Sequence, residues 1–125
     1  MATVTTNISA DKVCDFDVVS GALKVNFSNG ASGICNTGNE KLVNVTLVNN
    51  QPAANTPVTL SQNTLNPGQC ITYSGQYAFT GSSTTPDSIT ASDTVTANGV
   101  GAFTGVTATA TASACCTLCP EATCP

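Results

Sequence analysis

Two stretches alternate apolar and polar residues at almost every step, and that alternation limits what the chain can become. In SITASDTVTA, Ile89, Ala91, Val95 and Ala97 share one parity, and Thr90, Ser92, Thr94 and Thr96 the other. In GVTATATASAC, Val106, Ala108, Ala110 and Ala112 stand against a row of threonines. A helix turns every ~3.6 residues and would smear such a pattern around its whole surface; a strand sorts it into a core face and a solvent face. The same period runs through KLVNVTLVN (Val43, Val45 and Leu47 against Asn44 and Thr46) and CITYSGQYAF (Ile71, Tyr73, Tyr77 and Phe79). CDFDVVSGALKVNF and PVTL read as further strands. Turn signals divide these runs at Asn29-Gly30, Thr37–Asn39, Asn66–Gly68 and Asn98-Gly99. No stretch has helical periodicity and no internal repeat is visible. The expectation is an all-β chain: an antiparallel β-sandwich of about seven short strands.

At 125 residues the chain suits one domain with a real core. It contains no Arg, His or Trp; its only cations are Lys12, Lys24 and Lys41, and its net charge is −4. A nucleic-acid partner needs a basic footprint that this sequence lacks. Histidine-based acid–base chemistry and bidentate arginine recognition of phosphate are equally out of reach. No hydrolytic, redox or nucleic-acid-binding activity is therefore expected. No apolar run approaches the ~20 residues that span a bilayer, so no membrane insertion is expected. The opening MATVTTNISA has neither a basic n-region nor an apolar h-region. It is read as lacking a signal peptide, so that an exported form would be a processed product or an excised fragment.

Seven cysteines raise the question of what they do, because four of them, Cys115, Cys116, Cys119 and Cys124, crowd into the closing CCTLCPEATCP. A structural zinc wants two short ligand pairs from separate loops. Cys116 and Cys119 make one such pair, but Cys115 points the other way along a strand and no His completes the set. A thioredoxin-like use of CTLC needs a helix N-terminus, whereas here the motif ends a Thr/Ala strand. Neither a metal nor any other cofactor is expected. Disulfides fit better, and they place the chain in an oxidising compartment, extracellular or at a cell surface. Cys14 shares a face with Phe16 and Val18, and Cys116 with Ala112 and Ala114. First and last strands often lie side by side in sandwiches, so Cys14 is expected to pair with Cys116, or failing that with Cys115. Cys35 ends one strand and Cys70 begins another, which makes them the second expected pair. Cys115, Cys119 and Cys124 are left for one local bond and a link to another chain.

The expected organisation follows: residues 1–13 as an N-terminal strand or arm able to add to a neighbour's sheet, 14–116 as the sandwich, and 117–125 as a Cys/Pro-rich connector. Pro120 and Pro125 cannot donate backbone hydrogen bonds, which argues against a sheet interior there.

Asp93 is a polar intruder on the apolar parity of its strand, and a buried carboxylate needs a partner. A satisfied hydrogen-bond acceptor for a neighbouring loop is the plain reading. The sharper one is the acid of an intramolecular Lys–Asn isopeptide bond, with Lys24 or Lys12 as the amine; the polar parity of Lys24, beside Val25 and Phe27, counts against it. Asp15, Asp17, Asp87 and Asp93 could offer oxygens to calcium but follow no loop pattern, so loop solvation is the expectation. Sequons begin at Asn7, Asn26 and Asn44 and have meaning only in a glycosylating host.

The ordered segments ICNTGNEKLVNVTLVNNQPA, LNPGQCITYSGQYAF, SDTVTA and TATASACCTLCP resemble the conserved Ig-like repeat domain found in tandem arrays in large bacterial surface proteins. The likeness covers about Cys14 to Pro120. It implies an immunoglobulin-like sandwich, an extracellular location, a structural or adhesive role and no catalytic residues. The expected function is a non-enzymatic structural module of a surface protein or fibre, cross-linked by disulfides, with other copies of itself or neighbouring modules as partners. The alternative is a ligand-binding adhesin domain, calcium-stabilised in one version, which would display an exposed aromatic patch or a calcium site on its loops. The aromatics Phe16, Phe27, Tyr73, Tyr77, Phe79 and Phe103 sit mostly at core parity, which does not favour it.

Overall fold

A computed structural model of the chain describes residues 3–79 and 89–118. Within them every regular element is a strand: β1 (Ile8–Ser9), β2 (Val13–Val19), β3 (Ala22–Ser28), β4 (Ile34–Asn36), β5 (Leu42–Asn49), β6 (Thr56–Pro57), β7 (Cys70–Ile71), β8 (Ser74–Ala78), β9 (Thr90–Gly101) and β10 (Thr107–Thr117). All pairing is antiparallel, in three sheets ordered β1-β4-β7, β2-β3-β8 and β10-β9-β5-β6. The ten segments exceed the expected seven or so because turns and edges contribute ladders of only two or three residues (β1, β4, β6 and β7). Part of the N-terminal segment packs on the body of the chain. Ile8 and Ser9 pair with Asn36 and Cys35, and the Thr5 N–H donates to the Asn39 side chain at 2.6 Å.

The alternation in β9 and β10 becomes burial. Val95 and Ala97 are fully covered while Thr94 and Thr96 are half-exposed, and Ala108 is buried between exposed threonines. β5 departs from simple alternation. Leu42, Val45 and Leu47 are all buried, and Val43 is not. The expected inward set of Val43, Val45 and Leu47 is corrected by a bulge against β9 between Val43 and Thr46, at which Asn44 adopts a left-handed φ of 51°. Asparagine tolerates that region better than a branched residue. The bulge turns Leu42 inward, and beyond it Val45, Leu47 and Asn49 form the inward face, Asn49 being 1% exposed at the far end of the strand.

The core gathers side chains from all three sheets, among them Ile8, Val25, Phe27, Ile34, Leu42, Leu65, Tyr73, Tyr77 and Val95. Phe27 lies opposite Gly75 in the β3–β8 register. Its ring occupies the space where a Cβ on residue 75 would stand. Gly75 thus fixes where Phe27 can lie, and Phe27 forms part of the site described below.

A second constraint holds the N-terminal segment to the β9–β10 turn. The Glu40 carboxylate accepts bonds from the hydroxyls of Thr6 (2.6 Å) and Thr104 (2.7 Å) and from the N–H groups of Phe103 (2.9 Å) and Thr104 (3.2 Å). The two hydroxyls foremost, helped by the two N–H groups and opposed by burial, hold its pKa at about 2, below its ordinary 4.5.

Gly75→Ala is expected to lower unfolding free energy by about 1–3 kcal/mol through overpacking against Phe27, read as a fall in urea midpoint; an unchanged midpoint would contradict the packing account. Glu40 has a depressed folded pKa, so its contribution to stability is fully present above pH 4.5 and is lost as pH falls through about 2. Melting temperatures measured down that range should fall less steeply for Glu40→Gln than for the parent protein.

Candidate functional site

Two disulfides frame the molecule. Cys14 in β2 is bonded to Cys116 in β10, with Cα atoms 5.6 Å apart, and this joins two different sheets. Cys35 and Cys70 face each other in the β4–β7 register, are bonded, and have Cα atoms 4.1 Å apart. In the chain-entropy picture, closures of 102 and 35 residues restrict the unfolded chain by roughly 4–5 and 4 kcal/mol respectively. Cys115 is also disulfide-bonded. Cys119 and Cys124 lie outside the described residues, as does Asp87.

Beside the Cys14–Cys116 bond lies a buried polar cluster of Lys12, Asn49 and Asp93. Lys12 stands just before β2, Asn49 ends β5 and Asp93 lies in β9, so the cluster bridges the same two sheets as the disulfide. Both side chains of the Lys12–Asp93 pair are fully buried, with Nζ 2.5 Å from Asp93 Oδ1. Oδ1 meets no other donor among the described residues, so the lysine ammonium alone holds it. Nζ also donates to Asn49 Oδ1 at 2.8 Å. The Asn49 amide nitrogen donates to Asp93 Oδ2 at 3.3 Å and to the Gln51 carbonyl at 3.0 Å. One carboxylate therefore touches the lysine amine with one oxygen and the asparagine amide with the other.

The surroundings are apolar and aromatic. Nζ lies 4.7 Å from the centroid of the Phe27 ring, and the rings of Tyr73 and Tyr77 lie 6.4 and 6.2 Å from that ring. Burial pushes the Lys12 pKa down, opposed by its hydrogen bond to Asp93 and by the carboxylate's charge. Burial also raises the phenol pKa values of Tyr73 and Tyr77, with nearby carboxylates adding to the effect, so both stay neutral.

The residue before the lysine keeps it in place. Asp11 accepts three backbone N–H groups of the turn after β3, from Gly30 and Gly33 at 2.8 Å and Ser32 at 2.6 Å, and its own carbonyl accepts the Tyr73 hydroxyl. These bonds fix the backbone at residue 11, leaving Lys12 to extend inward.

Several sequence expectations meet this geometry directly. Asp93 takes a lysine and an asparagine side chain as partners, where a loop donor was the plain expectation. Of the two candidate amines, Lys12 reaches Asp93, and Lys24 stays half-buried on β3. Asp15 and Asp17 lie exposed on β2, and Asp93 is engaged with a cation, so these three make no calcium cage. No cluster of three or more His, Cys, Asp or Glu among the described residues suits a metal, and no helix there is long and apolar enough to cross a membrane. Phe103 departs from core parity: it is 84% exposed in the β9–β10 turn, where Glu40 holds its backbone and turns the ring outward. Asn49 was missed. Its signal was its place on the buried parity of β5 after Val45 and Leu47, the same kind of intrusion that marks Asp93.

Comparison with known proteins gives no matching family model and no matching curated protein.

Removing one member of a buried ion pair leaves an uncompensated charge and typically costs about 3–5 kcal/mol. Lys12→Met is expected to destabilise by that amount in urea unfolding. The Lys12→Met/Asp93→Leu double variant should lose clearly less than the sum of the single changes, as a double-mutant cycle would show.

Proposed function

We propose that this protein is a non-enzymatic structural module of an extracellular surface protein or fibre, cross-linked by disulfides and built as an immunoglobulin-like sandwich of the bacterial repeat type. The observation that carries this reading is the Cys14–Cys116 bond. It ties the first long strand to the last across 102 residues of separation. Tension applied at the chain ends passes from residue 14 to residue 116 through a covalent bond, and the sheets between them carry none of it. An oxidising, extracellular setting is where such a bond persists.

The partners on this reading are neighbouring modules or other copies of the same chain. Seven cysteines cannot all pair within one chain, because seven is odd. On this reading a disulfide from the Cys/Pro-rich stretch after Thr117 to a neighbouring module would make their joint permanent. A strand-rich, acidic chain without His or Arg offers no machinery for hydrolysis or for gripping nucleic acid.

A second reading, a ligand-binding adhesin domain, draws on the exposed Phe103 and the half-exposed Val106 at one turn. Surface binding abolished by Phe103→Ala would favour it over the first.

Single-molecule pulling on the two termini tests the mechanical reading. The oxidised module should transmit force without lengthening between residues 14 and 116, and mild reduction should add a discrete extension. Equal extension in both states would refute it.

A further inference from the structure

The cluster between the sheets holds an amine, a carboxamide and a carboxylate in mutual contact, without water-exposed surface on the ion pair. An ion pair alone explains this poorly. Desolvating two charges costs as much as or more than their attraction returns, so apolar residues would serve a core at least as well. It also leaves Asn49 unexplained, a buried amide oriented with its oxygen on the amine and its nitrogen on the carboxylate. That orientation sets the amide between an amine that could attack it and a carboxylate that could protonate its leaving nitrogen.

We propose that Lys12 and Asn49 are joined in the mature protein by an intramolecular isopeptide bond between Lys12 Nζ and Asn49 Cγ, formed with Asp93 as the proton carrier. The site takes no outside substrate and no oxidant. Asp93 Oδ1, against Nζ, accepts one ammonium proton, and the neutral amine adds to Cγ. The C=O electron pair moves onto Asn49 Oδ1 as the new C–N bond forms. Asp93 hands its proton to the amide nitrogen that Oδ2 already contacts, and takes back a second proton from the attacking nitrogen. The oxyanion collapses to a carbonyl, the C–Nδ2 bond breaks, and ammonia leaves.

Atoms and charge balance. An ammonium, a carboxylate and a primary amide become a secondary amide, a neutral carboxylic acid and one ammonia. The reaction removes the buried charge pair and replaces it with neutral groups that can hydrogen-bond to each other, which favours the product in an apolar site. The environment assists the first step: burial opposes the ammonium form, and the pKa of Lys12 is accordingly lowered. Holding the reacting groups in contact supplies the orientational part of the barrier. Asp11 acts as a positioning residue, since its bonds to the Gly30–Gly33 turn fix the backbone that presents Lys12.

The bond would tie Lys12, beside β2, to the end of β5 in the opposite sheet, two residues from the Cys14–Cys116 disulfide. The module would then keep one covalent tie between its sheets under reducing conditions.

The chain makes the test unusually clean, because Lys12, Lys24 and Lys41 are its only tryptic sites. The purified protein is kept folded overnight, then reduced, alkylated and weighed intact. The expected mass is lower than the sequence mass by one ammonia, about 17 Da. Trypsin should fail to cut after Lys12, and residues 1–24 should appear covalently attached to 42–125. Asp93→Asn and Lys12→Arg should each restore the full mass, with Asp93→Asn again cut at Lys12. The wild-type measurement decides the matter even where a variant fails to fold. A full-mass protein cleaved at Lys12 overturns the proposal, as does a loss of about 18 Da mapped to a Lys12–Asp93 amide, which would be water leaving in place of ammonia.

Discussion

A lysine and an aspartate buried between two sheets set the terms for the rest of this molecule. Neither ion can enter an apolar interior alone, so each requires the other to arrive in register. Lys12 comes from the segment leading into β2 and Asp93 from the middle of β9. Their meeting therefore fixes how the sheet of β2, β3 and β8 lies on the sheet of β10, β9, β5 and β6. Asn49 touches both ions, its oxygen accepting from the amine and its nitrogen donating to the carboxylate, from the inward face of β5 that Val45 and Leu47 share. Gly75 leaves room for the Phe27 ring that covers the amine.

Around this cluster the covalent and polar ties share one purpose. Cys14–Cys116 joins the same two sheets two residues farther along β2, and Cys35–Cys70 closes the small sheet that β1 also joins. Glu40 binds the N-terminal segment to the β9–β10 turn through four donors, and Asp11 binds the start of β2 to the turn after β3. A chain with few large side chains and little charge gains modest stability from its core, since alanine and threonine bury little apolar area each. Cross-links and satisfied carboxylates make up the difference, and they act where strands of distant sequence meet.

How much of this was readable beforehand depends on the range of the interaction. The faces of β3, β8, β9 and β10 follow from period two, because which way a side chain points is decided within its own strand. The conflict at Asp93 was visible for the same reason: a carboxylate on an apolar parity has to be answered. Val43 and Phe103 were misplaced because a bulge and a pinned turn break that period, and neither has a sharp local signature. Asn49 carried the same mark as Asp93, a polar residue on the parity of Val45 and Leu47, but its partners come from other strands and no local pattern names them.

The sequence by itself determined an all-β chain without histidine or arginine chemistry, an odd set of cysteines, and a buried acid in need of a partner. These follow from residue type and from neighbours one or two positions away. Only the tertiary structure decided that the partner is Lys12 and not Lys24, that Asn49 completes the cluster, and that Ile8 and Ser9 pair with β4. Those outcomes depend on distances between strands tens of residues apart. Such distances are set by how sheets twist and stack, which no local pattern of residues encodes.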